Sequence, residues 1–250
     1  MSDRFSVQSK VACVTGASSG LGRAIATALA QAGARVVGVA RRADALEAWE
    51  KETNGETASV AVDLGDPEQA AGIARAASGP FGPPAILINA AGVNTRQAAD
   101  DVTADGWKAT IDLNLSTPFF LAQALVPAMK AAGWGRIVNF ASLQSERAFP
   151  GGIAYGASKG GVAQLTRAMA EAWSRDGVTA NALAPGFFPT ELTGPVFSDP
   201  QVSARNAAQT CIGRNGALED LVGPALFLCS PASDYVTGQI LYVDGGFTAK

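Results

Sequence analysis

Seven apolar runs of strand length, separated for the most part by segments of helical spacing, limit most strongly what this chain can become. They are Val11 to Thr15, Arg35 to Ala40, Ala58 to Val62, Ala85 to Asn89, Arg136 to Ala141, Thr179 to Leu183 and Ile240 to Val243. Most are continuous rather than alternating in polarity. A strand that is apolar on both faces must be covered on both, so the pattern predicts a parallel sheet between two layers of helix. Helices are expected over Gly20 to Ala32, Ala43 to Glu52, Pro67 to Ala77, Ala104 to Ala131, Gly152 to Arg175 and Leu218 to Cys229. The alternation runs through all 250 residues without a linker, repeat or low-complexity tract. It therefore predicts a single doubly wound α/β domain over 1–250. The stretch 185–209, rich in Pro, Gly, Phe and Ser, reads as a mobile lid over a site.

Composition removes whole classes of chemistry. The chain has no histidine, which excludes a Ser-His-Asp relay, a histidine base and a His-ligated metal. Nineteen basic residues against 22 acidic give a net charge of −3 with no Lys/Arg-rich run, so nucleic acid is not an expected partner. The three cysteines, Cys13, Cys211 and Cys229, lie too far apart in sequence for a short metal or redox motif, and no metal site is expected. The polar start, Met1 to Lys10, and the lack of any apolar stretch near 18 residues predict no membrane association and a soluble, cytoplasmic protein.

Where the first strand meets the first helix the chain reads Thr15-Gly16-Ala17-Ser18-Ser19-Gly20-Leu21-Gly22. Glycines at 16, 20 and 22 permit a tight turn and a close approach of backbone to a pyrophosphate, with the first N–H groups of the helix facing the anion. A nucleoside-triphosphate loop would need Gly-x-x-x-x-Gly-Lys-Ser/Thr, and Leu21 stands where its second glycine belongs. By itself the pattern is also compatible with an ordinary strand-to-helix turn. After the second strand, Ala40 offers no carboxylate to a ribose 2′-hydroxyl, and Arg41 and Arg42 follow. A guanidinium there suits a 2′-phosphate, which favours NADP(H) and leaves NAD(H) possible, although two arginines can also be a solvated helix entry.

Tyr155 and Lys159 stand four residues apart in a segment whose apolar positions suit a helix, so they share a face. A neighbouring ammonium favours phenolate and is expected to lower the tyrosine pKa toward working pH. In a chain without histidine, Tyr155 is then a credible general acid or base.

These features resemble, in order and separation, the short-chain dehydrogenase/reductase family. The resemblance rests on the turn at 15–22, Asn89-Ala90-Ala91-Gly92, Asn114, Ser142, the Tyr155/Lys159 pair, Pro185-Gly186 and Val243-Asp244-Gly245-Gly246. It implies a Rossmann-type, seven-stranded sheet and hydride transfer between a nicotinamide and a carbinol or carbonyl carbon. By position it makes Tyr155 the proton donor or acceptor and Ser142 the group that holds the substrate oxygen. Lys159 would tune Tyr155 and bind the nicotinamide ribose, and Asn114 would link Lys159 through water to a proton relay. The dinucleotide would meet Gly16, Ser18, Ser19, Gly20, Leu21, Gly22 and Arg41, with Asp63 and Leu64 at the adenine. Asn89, Gly92, Pro185 and Gly186 would lie along it, and Thr190 would contact the carboxamide. The family often reads Asn-Asn-Ala-Gly where Ala90 stands here, which removes a side chain but not a turn.

The resemblance also implies a homotetramer. For the substrate, Asn94, Arg96, Gln144 and Arg147 are expected at the strand ends, with Phe187, Phe188 and Phe197 on the lid. Polar groups beside Ser142 suit a small hydroxylated molecule, and the chain is similar to family members that act on sugar acids and polyols. The expectation is an NADP(H)-dependent enzyme interconverting a secondary alcohol and a ketone. A 3-oxoacyl-carrier-protein reductase and a non-catalytic dinucleotide-binding protein are the alternatives.

Overall fold

The apolar runs become strands in one parallel sheet: β1 (Val11–Thr15), β2 (Arg35–Ala40), β3 (Thr57–Ala61), β4 (Ile86–Asn89), β5 (Gly135–Phe140), β6 (Val178–Pro185) and β7 (Ile240–Val243). The structure, a computed structural model, describes residues 4–250. The strand order is β3-β2-β1-β4-β5-β6-β7. β1 therefore pairs with β2 on one side and β4 on the other, Cys13 lying opposite both Val37 and Leu87. The chain reverses direction across the sheet at this point, and the loops that follow β1 and β4 diverge around a crevice.

Alternate residues of each central strand feed opposite layers, which is why continuous apolar runs are needed. Ala12, Val14, Ile86, Ile88 and Val138 pack with Ile25 and Leu29 of α1 (Gly20–Gln31), Trp49 of α2 (Ala43–Glu52) and Leu228 of α9 (Val222–Cys229). Cys13, Val37, Leu87 and Ile137 pack on the other side. Their partners are Ile73 of α3 (Ala70–Ser78), Leu121 and Met129 of α5 (Thr117–Ala131), and Met169 of α6 (Ile153–Trp173). Each large aliphatic side chain buried this way contributes about 1.5–3 kcal/mol.

The segment 104–131 is not the one continuous helix expected. It is α4 (Ala104–Ile111), a single π-helical turn at Asp112–Ser116, and α5. Pro118 has no N–H to give the Asn114 carbonyl, so the regular ladder cannot run through. The Asn114 amide instead bonds sideways, accepting from the Val93 N–H at 2.9 Å and donating to the Val93 carbonyl at 2.9 Å and to Ser158 Oγ at 3.0 Å. Likewise the stretch 185–209 is not one irregular loop, for it contains α7 (Gly194–Phe197) and α8 (Pro200–Gln209). Asp199 caps α8 by accepting from the N–H groups of Gln201 and Val202.

The two ends of the sheet differ. At the end where β5 and β6 begin, Gly177 takes φ +82° and a side chain there would stand 2.2 Å from the Gly133 carbonyl oxygen. The Gly177 carbonyl in turn accepts from Gly135 N–H at 3.1 Å, closing this end backbone to backbone. At the other end the strands open into the crevice.

A polar tie crosses the buried sheet beneath that crevice. Asn139 is fully buried; its Oδ1 accepts from Asn89 Nδ2 at 2.9 Å, and its own amide donates to Thr166 Oγ1 of α6 at 3.0 Å. It thus joins β4, β5 and α6. Asn139→Ala leaves the Asn89 amide short of its main partner and opens a small void, so the variant should lose about 2 kcal/mol of stability. Urea denaturation followed by circular dichroism checks this; an unchanged midpoint would show that the tie adds nothing.

Candidate active site

The turn after β1 is shaped by what cannot fit. Gly16 has φ +72°, and a Cβ there would lie 2.9 Å from the Ala91 N. At Gly22 it would stand 2.4 Å from the Gly16 carbonyl oxygen, so only glycine lets α1 begin this close to the turn. Thr15 secures the opposite wall: its hydroxyl donates to the Ile88 carbonyl at 3.3 Å and accepts from the Ala90 and Ala91 N–H groups, each at 3.1 Å. The loop after β4 keeps its turn through this hydroxyl although Ala90 carries no amide.

Between the two walls lies a cleft of about 660 Å³. Its floor at one end is Gly16, Ser18, Ser19, Gly20, Leu21 and Gly22, with Arg41, Asp63 and Leu64 beside them. At the other end are Gly92, Ser142, Tyr155 and Lys159, with Asn94, Arg96 and Gln144. Pro185, Gly186 and Thr190 close it from the lid side, together with Leu192, Val196 and Arg205 of the 185–209 segment.

α6 places Tyr155 and Lys159 one turn apart, with the Lys159 Nζ 5.6 Å from the phenol ring centroid. That ammonium donates to the Phe140 carbonyl at 2.6 Å. Ser142 follows β5; its hydroxyl accepts from Gln144 N–H at 3.1 Å, and Ser145 Oγ donates to the Lys159 carbonyl at 2.8 Å, pinning this loop to α6. Asn114 holds the helix from behind through Ser158, whose hydroxyl donates to the Tyr155 carbonyl at 2.7 Å.

Burial dominates the electrostatics here. It lowers the Lys159 pKa from 10.5 to about 8. It also raises that of Tyr155, against which the Ser142 hydroxyl and the positive charge of Arg96 pull downward. In this state burial sets the balance at Tyr155, and the charge that lowers its pKa against burial is that of Arg96 rather than the Lys159 ammonium the sequence pointed to. A phenol kept protonated at neutral pH, next to a hydroxyl that can donate or accept, is equipped to give a proton to an oxygen in the cleft. The length of the cleft, its hydroxyl-bearing glycine turn and the arginine where a carboxylate would repel phosphate fit a phosphorylated dinucleotide.

Comparison with known proteins agrees with this geometry. A family model described as enoyl-(acyl carrier protein) reductase matches residues 16–248. Gluconate 5-dehydrogenase of Gluconobacter oxydans is 41% identical over 99% of this chain and 98% of that protein. The 2-dehydro-3-deoxy-D-gluconate 5-dehydrogenase of Escherichia coli is 38% identical over 98% of each. A gluconate 5-dehydrogenase from Burkholderia cenocepacia, solved in complex with NADP and tartrate, superposes with a TM-score of 0.93 at 37% identity, covering 99% of this chain and 98% of that one. The chain belongs to the short-chain dehydrogenase/reductase family.

Most of the residues expected at the cofactor and substrate positions line the cleft, and Asn89, Asn114, Arg147 and Phe197 do not. Asn89 is 3% exposed and spends its amide on Asn139, so it supports the sheet rather than lining the cleft. Asn114 stands behind the wall, bonded directly to Val93 and Ser158. Arg147 turns away, donating to the Lys250 carbonyl at 2.7 Å and stacking over Phe247 at 5.7 Å. Of the lid phenylalanines, Phe187 lines the cleft and Phe188 reaches its edge from a buried position, whereas Phe197 does neither. Asp63 lines the cleft, and its carboxylate accepts from Gly65 N–H at 2.9 Å. Arg42, passed over in favour of Arg41, lines the cleft too and donates to Ser18 Oγ at 3.2 Å. Only the long-range partner could have flagged it.

The depressed Lys159 pKa has a thermodynamic signature. Between about 8 and 10.5 the unfolded chain holds the proton more tightly than the folded one, so this lysine penalises folding below that window and the penalty fades as pH rises through it. Removing the charge with Lys159→Met should therefore raise stability relative to the wild type near pH 7, by up to about 3 kcal/mol, and by less near pH 10.5. Denaturant unfolding at both pH values measures the difference, and a gap that widens with pH would contradict the assignment.

Proposed function

We propose that the protein is an NADP(H)-dependent oxidoreductase that interconverts a secondary alcohol and a ketone on a sugar acid or a closely related polyhydroxylated molecule. The observation that carries the reading is the Tyr155 phenol in the cleft wall, protonated by burial, with the Ser142 hydroxyl and the Arg96 charge acting on it. Relatives named for gluconate and 2-dehydro-3-deoxy-gluconate support the substrate class, and the neighbour solved with NADP and tartrate supports both that class and the cofactor.

Bound along the cleft, NADP(H) supplies or accepts the hydride. The rest falls to the chain. Tyr155 gives a proton to the substrate oxygen in reduction and takes it back in oxidation. Ser142 holds that oxygen by donating or accepting as the bond order changes. Lys159, once drawn toward the nicotinamide ribose, brings positive charge to the phenol and eases loss of its proton. The hydroxyls of Ser18 and Ser19 and the N–H groups at the start of α1 receive the pyrophosphate, and Arg41 receives the 2′-phosphate. Asp63 and Leu64 flank the adenine, the Gly92, Pro185 and Gly186 backbone borders the nicotinamide half, and Thr190 meets the carboxamide. Arg96 pairs with the substrate carboxylate, and Asn94 and Gln144 meet its hydroxyls.

Arg96 is prepared for this. It holds φ +52°, uncommon for a residue with a side chain, and the Asn94 carboxamide oxygen accepts from its N–H at 3.1 Å. Its guanidinium donates to the Leu192 carbonyl of the lid at 2.8 Å, which links substrate recognition to lid position. We also propose a homotetramer acting in the cytoplasm. Exposed Trp107 of α4 and Phe120 of α5 support association, and three unpaired cysteines suit a reducing compartment.

Purified protein with NADPH should reduce keto-gluconates, and Tyr155→Phe should lower kcat/KM by about 10²–10⁴ while NADPH binding persists. Equal rates in both proteins, or activity confined to acyl thioesters, would refute the reading. Arg96→Gln should raise KM about tenfold or more for a sugar acid and leave KM for a neutral polyol nearly unaffected, with any loss through Tyr155 appearing equally in kcat for both. Equal rises in KM for both would remove the carboxylate contact.

A further inference from the structure

Arg41 and Arg42 are adjacent in sequence and differ in what holds them. Arg41 is exposed at the cleft. Arg42 is clamped: its Nη1 donates to Glu191 Oε1 at 2.9 Å and its Nη2 to Glu191 Oε2 at 3.1 Å, a two-pronged pair. The same Nη2 donates to Ser18 Oγ at 3.2 Å, and Ser19 Oγ donates to Glu191 Oε2 at 3.2 Å. Glu191 belongs to the segment after β6, next to Thr190, whose side chain stands 3.2 Å from where a Cβ on Gly20 would lie. One carboxylate from the lid thus draws on a guanidinium and on a serine of the glycine turn. These are the donors that an incoming phosphate would use.

We infer that Glu191 is a specificity-determining residue: its carboxylate competes with the cofactor's 2′-phosphate for Arg42 and thereby restrains the preference for NADP(H). The inference rests on the cofactor reading above and concerns only its tuning. Arg42 cannot keep both prongs on Glu191 and also neutralise a phosphate at the same place. Any 2′-phosphate that recruits it must first part the pair, and the negative charge left on Glu191 then opposes the ligand. A nucleotide with a bare 2′-hydroxyl has no call on Arg42 and meets no such opposition. The hydrogen bonds from Arg42 and Ser19 hold the Glu191 pKa below the ordinary carboxylate value, so it is charged throughout the working pH range. The pair is solvent-exposed on both sides, 47% and 65%, which confines the effect to a few-fold rather than orders of magnitude.

The test uses two fragments that differ by one group, adenosine 2′,5′-bisphosphate and adenosine 5′-monophosphate, titrated calorimetrically into the full-length protein. Glu191→Gln keeps the size and removes the charge. The variant should tighten the bisphosphate about two- to fivefold more than the monophosphate, whose 5′-phosphate meets only the Ser19 contact, so the ratio of dissociation constants, monophosphate over bisphosphate, rises by that factor. The rise should shrink at 1 M salt, and Arg42→Ala should remove most of it. A wild type that prefers the bisphosphate, with the same ratio in Glu191→Gln, overturns the role of Glu191 alone; a falling ratio does so as well. Fragments bound equally both by the wild type and by Glu191→Gln overturn the cofactor reading and the inference with it.

Discussion

Pairing of β1 with β2 on one side and β4 on the other sends the loops that follow β1 and β4 apart, and the cleft is what lies between them. Because every strand runs the same way, all their following loops emerge at one end of the sheet. The glycine turn, Ser142 and Pro185 come from three different strands and still face one space. Thr15 is where this geometry is fastened, since its single hydroxyl spans from the turn to the Ile88 carbonyl and the Ala90 and Ala91 amides.

Low polarity does the electrostatic work. Lys159 and Tyr155 sit in surroundings that disfavour both the ammonium and the phenolate, so each is pushed toward its neutral form. The Phe140 carbonyl gives the ammonium a partner, and Arg96 supplies charge from the substrate side. The same guanidinium reaches the Leu192 carbonyl in the segment after β6.

What was legible in the sequence is what local pattern dictates. All seven strands appear within a few residues of their apolar runs, because strand burial writes itself into consecutive positions. The glycines at 16, 20 and 22 and the Tyr155/Lys159 spacing could be read for the same reason. The π-helical turn at Asp112–Ser116 was in principle visible as Asn114 followed four residues later by Pro118, yet the helical period on either side concealed it. Asn89, Asn139 and Arg147 were opaque, since an amide or guanidinium carries no mark of which distant group will satisfy it. Asn89 finds Asn139 fifty residues away, and Arg147 finds carbonyls near the chain's last residue. The split between Arg41 and Arg42 is of this kind, being decided by a carboxylate 149 positions further on.

The glycine contact between Gly177 and Gly133 leaves the molecule with one closed pole and one open one. Nothing larger than hydrogen fits at Gly177, so the closed pole has no tolerance for added bulk. The segment from Phe187 to Gln209 at the open pole carries its own short helices and its own cap, and it meets the glycine turn through Glu191 and Arg96 through Leu192. A protein built this way can accept changes of size and shape at the open pole that the closed pole would refuse.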